Sequence, residues 1–538
     1  MKNRKIVFGI FIVFLFTVFA SSPFFRKEYI PTHDGEYHII RFIEFYRMIS
    51  EGYLIPRWAP NMNSGYGIPI FLFHYPLPNY IGAIIQRIGF HAVDAFKISL
   101  AFGYISSGIF SFLWLKKLFH VKAATVGAIS AAFVPYWFVD LYVRGSVGEV
   151  WAIAFVFAGL MFCEYGMFIP FSFAIAGLVL SHNILAMLFI PFLFGVALLR
   201  NKRYTIGILI GILLSSYFWI PAIAESVYVV GLNTVQVQEH FAEAYELIIP
   251  SWGTALSGQM FSGNKMSLQI GIVPLLIFFM SIFVSVKEKG KEINRFYRYV
   301  AMVCIFAVIF TLSWTFLLWK YIPFLQYVQY PWRFLSFVIP ATAFTGAYVS
   351  YHFRMRIASI IIIFLSVIFS YSYTRPVVYS PRDGYYYMSR KNFTDGTSSM
   401  GNSFSTIWTG WKNKRSEYLL RVVNGKVKGS FSKNSYLDKQ FIVASETGAQ
   451  VDIPILYFPG WAVRVDNQSI GIEYQIDGTI RFFVPSGEHR VRVVFSRTLM
   501  RKFADTLSIL VLVWLTLWGI LGVYENRHRH ISFLWRPH

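Results

Sequence analysis

Cysteine is almost absent from this chain, which has only Cys163 and Cys304 among its 538 residues. The two cysteines do not form a C-x-x-C motif, and their spacing does not match a zinc-ligand pattern. Both lie inside apolar runs, where a thiol packs as a small hydrophobic side chain. The sequence therefore excludes a cysteine-based zinc site and a C-x-x-C redox centre.

Charged residues are also scarce, at 14% of the chain, and the acidic residues number 27 against 49 basic ones. Hydrophobic residues make up 56% of the chain, and the mean hydropathy is +0.50. This composition is typical of a polytopic membrane protein and excludes an ordinary soluble domain. The net charge of +22 does not indicate a nucleic-acid partner, because most basic residues between the apolar runs cluster at the ends of those runs.

Twelve apolar runs approach the length of about 20 residues that a helix needs to cross a bilayer. They lie near 6–21, 96–115, 123–139, 150–164, 167–181, 184–199, 204–222, 267–286, 298–318, 334–351, 356–373 and 503–524. A run at 69–88 is not counted, since Pro69, Pro76 and Pro78 interrupt it. The first run has the basic start of a signal peptide, but with so many later spans we expect it to be retained as a helix.

Clusters of Lys and Arg at the ends of these runs predict how the chain is oriented. If 69–88 lies along the membrane surface, every basic cluster between the spans faces the cytoplasm, as the positive-inside rule requires. This arrangement places both termini in the cytoplasm and the protein in the cytoplasmic membrane. It also predicts a first outer loop at 22–95 and a second at 139–149.

Residues 374–502 have a different pattern, with short alternating apolar runs separated by turn signals such as Pro459-Gly460 and Asp477-Gly478. Alternation of this kind predicts a small antiparallel β-domain of sandwich type, here on the extracytoplasmic side. Residues 380–412 are rich in Tyr, Ser, Gly and Asn and predict a long loop. The fold prediction is an all-α membrane bundle over 1–373, this β-domain, and a last membrane helix with a cytoplasmic tail over 503–538.

The segment Thr32-His33-Asp34-Gly35-Glu36-Tyr37-His38 follows the first span directly. Two carboxylates and two imidazoles in seven residues are unusual beside a bilayer, because charged groups are expensive to hold near lipid. Other polar residues are predicted to collect on the same outer face. They are Asp140, Arg144, Glu149, His182, Asn183, Trp332 and Arg333.

In their order and membrane side, several motifs resemble the GT-C glycosyltransferase superfamily, and more closely the YfhO-like bacterial membrane proteins. The matching segments are His33-Asp34-Gly35-Glu36-Tyr37-His38, Arg57-Trp58, Gly65-Tyr66-Gly67 with Tyr75-Pro76-Leu77-Pro78, Tyr142-Val143-Arg144-Gly145 with Glu149, Ser181-His182-Asn183, Trp219-Ile220-Pro221-Ala222-Ile223-Ala224-Glu225, Gln329-Tyr330-Pro331-Trp332-Arg333, Tyr457-Phe458-Pro459-Gly460-Trp461 and Val484-Pro485-Ser486-Gly487-Glu488-His489. That group also carries the label "6-pyruvoyl-tetrahydropterin synthase-related", which implies a three-histidine zinc site that this sequence does not offer. The resemblance implies a transferase that takes a sugar from a polyprenyl-phosphate or polyprenyl-diphosphate carrier. The acceptor would be a glycan, a lipid or a protein on the outer face.

Sugar transfer of this type needs a carboxylate to accept the acceptor's proton and cations to stabilise the departing phosphate. We predict Asp34 as the general base, with Glu36 as the alternative, and the resemblance indicates the same first-loop acid. Arg144 and Arg333 are the predicted phosphate ligands, since guanidinium binds phosphate with a bidentate fork. His182 is a further candidate for phosphate contact.

Other residues have open roles at this stage. Glu149 orients Arg144, binds a metal, or is an ordinary acid favoured at a helix N-terminus. His33 and His38 are either hydrogen-bonded loop residues or members of the site. A divalent cation such as Mg or Mn is an open possibility, with Asp34, Glu149 and His38 as candidate ligands.

Asn183 and Trp332 are further candidates. Asn183 is polar in apolar surroundings, and Trp332 either stacks on the substrate or anchors the chain at the interface. Two other functions remain as alternatives, namely a lipid or polysaccharide transporter and a non-catalytic protein of envelope glycan assembly. The chain has no internal repeat of the kind that many transporters contain, which favours the enzyme.

Overall fold

The computed structural model describes residues 2–231, 237–257, 264–287, 292–353, 356–382, 386–387, 403–409, 412 and 414–534. Most of the predicted loop at 380–412 lies outside these residues. Helices form the chain up to residue 374, strands follow from residue 421, and one long helix comes last. The helices of eight or more residues are α1 (Lys2–Ser21), α2 (Gly35–Ser50), α3 (Leu77–Arg87), α4 (Ala92–Leu118), α5 (Val121–Ala132), α6 (Val147–Tyr165), α7 (Phe168–Ser181), α8 (Asn183–Arg200), α9 (Arg203–Leu214), α10 (Ser216–Ala224), α11 (Ile272–Lys287), α12 (Glu292–Phe310), α13 (Val338–Phe353), α14 (Arg356–Ser370) and α15 (Leu499–Leu534).

Eight helices in the described ranges are long and apolar enough to cross a bilayer, or ten if each of two bent pairs counts as one span. The bent pairs are α5 with Pro135–Arg144, and α9 with α10. Two more predicted spans, α7 and α11, are helices of only 14 and 16 residues. All twelve predicted segments are thus helical, although two are shorter than a straight crossing needs. The excluded run at 69–88 contains Ile70–Phe73 and the 11-residue α3, so no long helix forms there.

The outer faces of the spans carry large exposed apolar side chains. Phe283 on α11 is 73% exposed, Ile357 on α14 is 66% exposed, and Leu510 on α15 is 61% exposed. A soluble protein rarely leaves so much apolar surface in water, whereas lipid tails solvate it without cost. The chain is therefore a multi-pass membrane protein.

Small residues allow the inner helices to approach closely. A Cβ atom on Gly127 of α5 would lie 2.3 Å from the carbonyl oxygen of Ala343 on α13, so only glycine fits there. Backbones that approach in this way are typical of helix packing in membranes. Around this contact the buried core continues through α4 and α6, with Trp114 and Phe157 among its fully buried rings.

Eight strands form the predicted β-domain. They are β1 (Arg421–Asn424), β2 (Val427–Asn434), β3 (Asp438–Ser445), β4 (Ala449–Leu456), β5 (Trp461–Val465), β6 (Gln468–Ile470), β7 (Thr479–Val484) and β8 (Gly487–Phe495). One antiparallel sheet has the order β1-β4-β7 and the other β2-β3-β8-β5-β6. Val491 and Val493 of β8 face the core while Arg490 and Arg492 are exposed, which confirms the predicted alternation.

The β-domain packs directly on the first outer loop. The Trp58 ring lies 5.4–6.4 Å from the rings of Phe458, Trp461 and Phe495. Arg57 pairs with Asp505 of α15, and both side chains are buried. These contacts attach the loop that carries Asp34 to both the β-domain and the last helix.

Candidate functional site

Two backbone hydrogen bonds join the segment that carries Asp34 to the end of the bent span Pro135–Arg144. The N–H of His33 donates to the Val143 carbonyl at 2.9 Å, and the N–H of Asp34 donates to the Arg144 carbonyl at 2.8 Å. Asp34 lies at the N-cap position of α2, where its carbonyl accepts from the N–H of His38 at 3.0 Å. The pairing therefore holds Asp34 beside Arg144.

Two glycines make this junction possible. Gly145 has φ of +65°, and a Cβ atom there would lie 2.2 Å from the Thr32 hydroxyl oxygen. A Cβ atom on Gly35 would lie 2.3 Å from the same oxygen. Both contacts would be much shorter than van der Waals distance. Packing therefore requires glycine at Gly35 and Gly145, the glycines of the His-Asp-Gly and Arg-Gly motifs.

A cavity of about 360 Å³ opens beside this junction. Most of the predicted site residues line it, namely His33, Asp34, His38, Arg144, His182, Asn183, Trp332 and Arg333. Its wall is formed by the ends of several spans, because α6 begins at Val147, α8 begins at Asn183, and Arg333 lies just before α13. Residues at the ends of spans meet at the membrane boundary.

Glu149 lies behind the wall and is fully buried. One carboxylate oxygen accepts from Arg144 Nη2 at 2.7 Å and from Arg333 Nε at 3.1 Å, and the other accepts from the Tyr136 hydroxyl at 3.0 Å. The carboxylate of Asp140 accepts from Arg144 Nη1 at 2.5 Å. Glu149 therefore fixes both predicted phosphate ligands in one geometry, which is the orienting role among those considered from the sequence.

Trp332 and His182 complete the wall beside Arg144. The guanidinium carbon of Arg144 lies 4.5 Å from the centroid of the Trp332 ring. Trp332 Nε1 donates to the Ser257 hydroxyl at 3.0 Å. His182 Nδ1 accepts a backbone hydrogen bond from the first turn of α8 at 3.1 Å, so its proton is on Nε2, 3.8 Å from the Glu149 carboxylate. Both side chains are thus oriented by specific partners.

The carboxylate of Asp34 makes no hydrogen bond or ion pair with any residue that the structure describes. Its neighbour His33 places Nε2 2.6 Å from the Thr254 carbonyl oxygen, so this nitrogen carries the donated proton. Burial lowers the pKa of His33 below its usual range, against the opposing effects of the Thr254 carbonyl and Asp34. A neutral His33 does not form an ion pair with the Asp34 carboxylate, which lines the cavity.

Glu36 lies on a different side of α2. Its carboxylate accepts from the Arg382 guanidinium and, at 3.1 Å, from the Tyr387 hydroxyl, and it does not line the cavity. This pairing attaches the segment after α14 to the outer loop. The structure therefore brings Asp34, but not Glu36, to the cavity.

Several cavity residues were not assigned a role from the sequence, although some of them lie within the motifs that carry the resemblance. They are Tyr37, Arg41, His74, Tyr75, Gln329 and Tyr330. Tyr37, His38 and Arg41 follow Asp34 at helical spacing. This periodicity is the sequence signal that could have placed Tyr37 and Arg41 on the same helix face as Asp34. The ring centroids of His74 and Tyr75 lie 4.0 Å apart, and those of Tyr75 and His182 lie 4.9 Å apart, so these rings form a continuous aromatic wall.

The candidate metal ligands do not form a cation site. Within the described residues, no group of three or more His, Cys, Asp or Glu side chains is arranged to hold a metal ion. Glu149 already accepts hydrogen bonds from two guanidinium groups and a tyrosine, which occupy its oxygens. Asp34, Glu149 and His38 therefore do not fit a divalent cation shared among them.

Comparisons with known proteins do not identify a family for this chain. No protein-family model matches the chain. An uncharacterized protein of Lactococcus lactis subsp. cremoris (strain MG1363) is 28% identical over 206 residues, covering 35% of this chain and 33% of the relative. The chain thus spans about a third of the length of the curated relative that it matches.

Among solved structures, the arabinofuranosyltransferase AftD from mycobacteria aligns with a TM-score of 0.46 and 12% identity. The alignment covers 71% of this chain and 28% of the AftD chain. A likeness this distant carries no argument about activity. The resemblance to YfhO-like proteins and the functional assignment therefore depend on the residues of the site itself.

Proposed function

We propose that this chain is a membrane glycosyltransferase that moves a sugar from a polyprenyl-phosphate or polyprenyl-diphosphate carrier to an acceptor on the outer face. One observation carries the proposal: an unpaired carboxylate, Asp34, faces a cavity whose wall contains the guanidinium groups of Arg41, Arg144 and Arg333. A base and several phosphate ligands in one cavity are the minimum set for this chemistry. The acceptor is a glycan, a lipid or a protein.

The position of the cavity fits a substrate that is anchored in lipid. Arg144 ends one span and Arg333 precedes another, so both guanidinium groups lie where a lipid phosphate would sit. A prenyl chain would extend among the apolar spans while its phosphate reaches the cavity wall. This arrangement favours a lipid-linked donor over a soluble nucleotide sugar.

The proposed reaction forms a bond between the acceptor oxygen and C1 of the sugar. The bond between C1 and the phosphate oxygen breaks, and its electron pair stays on that oxygen. Asp34 takes the proton of the acceptor hydroxyl, so the carboxylate becomes neutral while the leaving phosphate gains one negative charge. For a phosphodiester donor the phosphate changes from one negative charge to two, which guanidinium groups stabilise more in the transition state than in the ground state.

The proposal is tested by incubating the purified full chain with a prenyl-phosphate donor that carries a labelled sugar, together with membrane or cell-wall acceptors. We expect label to enter an acceptor fraction with release of prenyl phosphate in equal amount. Movement of the intact donor across a vesicle membrane, without cleavage at C1, would instead support the transporter.

Arg333 offers a first test of the donor site. We expect Arg333→Ala to weaken binding of a prenyl-phosphate donor roughly tenfold or more, because a hydrogen bond to a charged group is worth about 1.5–3 kcal/mol. Arg333→Lys should restore part of the affinity, since it keeps the charge but lacks the planar fork. Binding is measured by isothermal titration in detergent, with Arg203→Ala at the opposite end of the spans as control. Equal affinity in all three variants would remove Arg333 from the site.

The proposed topology is tested with introduced cysteines, after replacement of the buried Cys163 and Cys304 by alanine. Because the basic clusters place the first outer loop and the β-domain outside, Leu54→Cys and Ser430→Cys should react with an impermeant thiol reagent in intact cells. Lys202→Cys should react only after lysis. All three positions are exposed, so lack of reaction would not reflect burial. If Lys202→Cys reacted in intact cells and the other two variants reacted only after lysis, the proposed orientation of the chain in the membrane would be reversed.

A further inference from the structure

Arg41 is a buried cation that forms no ion pair with the residues that the structure describes. Its side chain is 6% exposed, and it makes no ion pair or hydrogen bond with any residue in the described ranges. The guanidinium carbon lies 5.9 Å from the centroid of the Tyr37 ring. Asp34 lines the same cavity and its charge acts on Arg41, but the two side chains do not form an ion pair. A buried charge that lacks a partner is strongly unfavourable, so a physical reason for its presence is required.

The other arginines of the cavity differ in this respect. Arg144 is paired by two carboxylates, Asp140 and Glu149, and Arg333 shares the second of these. The carboxylates therefore balance the charges of these two cations before any ligand arrives. Arg41 is the cavity cation in the described part of the chain that has no carboxylate within ion-pair distance; the charge of Asp34 acts on it only from farther across the same cavity.

Imidazole groups surround Arg41 without neutralising it. His38 lies one turn before it on α2, is 2% exposed, and has an Nδ1 atom with no hydrogen-bond partner among the described residues. His74 is also buried, with its ring centroid 5.5 Å from that of His38. Burial lowers the pKa of both imidazoles well below their usual range, and the charge of Arg41 adds to the effect. Neutral imidazoles supply hydrogen-bond donors to an anion and no negative charge.

We infer that Arg41, with His38 and His74, forms an anion subsite that binds the oxygens of a phosphate group. The inference rests on the proposed function for the lipid that carries this phosphate, but on the unpaired guanidinium and the two buried imidazoles for the phosphate itself. In the proposed reaction, Arg41 stabilises the negative charge that develops on the leaving phosphate oxygen. Its helical spacing from Asp34 places cation and base on one face of α2.

The experiment compares wild type, Arg41→Gln and Arg41→Lys of the purified full chain. The probes are geranyl phosphate, geraniol as the chain without phosphate, and inorganic phosphate. We expect Arg41→Gln to weaken geranyl phosphate binding roughly tenfold or more, and Arg41→Lys to weaken it less. Geraniol binding should be equal in all three. Arg47→Gln is the matched control, because Arg47 lies on the same helix, pairs with Glu44 and does not line the cavity.

Melting temperature without ligand separates a binding role from a structural one. If Arg41 is held for a ligand, Arg41→Gln should raise the melting temperature, since it removes an unpaired buried charge. A fall in melting temperature in both Arg41 variants would overturn the inference and assign Arg41 to structure. The two measurements together also identify a variant that has simply failed to fold.

The remaining outcomes distinguish the subsite from the proposed function. If wild type binds inorganic phosphate but not geranyl phosphate, and Arg41→Gln loses that binding, the subsite stands and the lipid-linked donor fails. If Arg41→Gln binds geranyl phosphate as well as wild type does, the donor stands and the subsite is wrong. If wild type binds neither probe, the subsite is wrong.

Discussion

Asp34→Asn is expected to reduce the rate of sugar transfer by about 10²–10⁴, because loss of a general base typically costs that much. Asparagine keeps the size of the side chain but cannot accept the proton of the acceptor hydroxyl. The backbone hydrogen bonds of residue 34 to Arg144 and His38 do not involve the side chain, so the junction should persist. Donor affinity and melting temperature are therefore expected to stay close to wild type.

The measurement is single-turnover transfer of labelled sugar from a prenyl-phosphate donor, with donor binding determined in parallel. Asp466→Asn, on the exposed surface of the β-domain, is the matched control and should leave the rate unchanged. Glu36→Gln should reduce the rate less than Asp34→Asn, since Glu36 is engaged by Arg382 and Tyr387 outside the cavity. Normal turnover in Asp34→Asn with loss in Glu36→Gln would move the base to Glu36.

The sequence predicted that a small set of polar residues collects on one face, because membrane topology restricts where polar residues can meet. Once basic clusters assign the two sides, Asp34, Arg144 and Arg333 must lie on one face, although they are far apart in the chain. Charged residues near lipid are also few, so each one is informative. Helix positions were predictable for a related reason, since an apolar run of about 20 residues is long enough to cross a bilayer and does so as a helix.

Features that depend on tertiary packing were not predictable. Arg41 is one of several basic residues in the first outer loop, and its sequence neighbours do not reveal that it is buried without an ion pair to any described residue. Most side chains of strand β2 are exposed, so this strand lacks the alternation that identifies a strand in a sequence. The apolar run at 204–222 is typical of one span, and its sequence did not predict the bend that separates α9 from α10.

Glu149 is a residue whose role was left open by the sequence and narrowed by the structure. As a sequence feature it was an acid near the start of a helix, with orientation of Arg144, metal binding and dipole stabilisation all open. Burial together with contacts to both Arg144 and Arg333 selects orientation. A residue with this role acts through the arginines rather than on the substrate, so its loss should affect stability and donor binding together.

Glu149→Gln should therefore destabilise the protein by about 3–5 kcal/mol, the usual cost of leaving buried charges without their partner. The amide keeps the shape of the side chain, but it removes the charge that balances two guanidinium groups. Asp140 alone then remains to compensate Arg144, and Arg333 keeps only neutral acceptors at Val328 and Gln329. Donor affinity should fall at least as far as in Arg333→Ala, because the carboxylate that holds both arginines in one geometry is lost.

Glu164→Gln is the matched control, since Glu164 lies near the other end of the same helix α6 and pairs with Arg200 at 2.6 Å. Arg200 also pairs with Glu292, so it keeps a carboxylate partner after the substitution. We expect Glu164→Gln to be less destabilising and to leave donor binding unchanged. Melting temperature and titration with a prenyl-phosphate probe measure the two effects. Equal stability losses with unchanged donor affinity in both variants would show that Glu149 is an ordinary helix-end acid, and the arginines would then be positioned by other contacts.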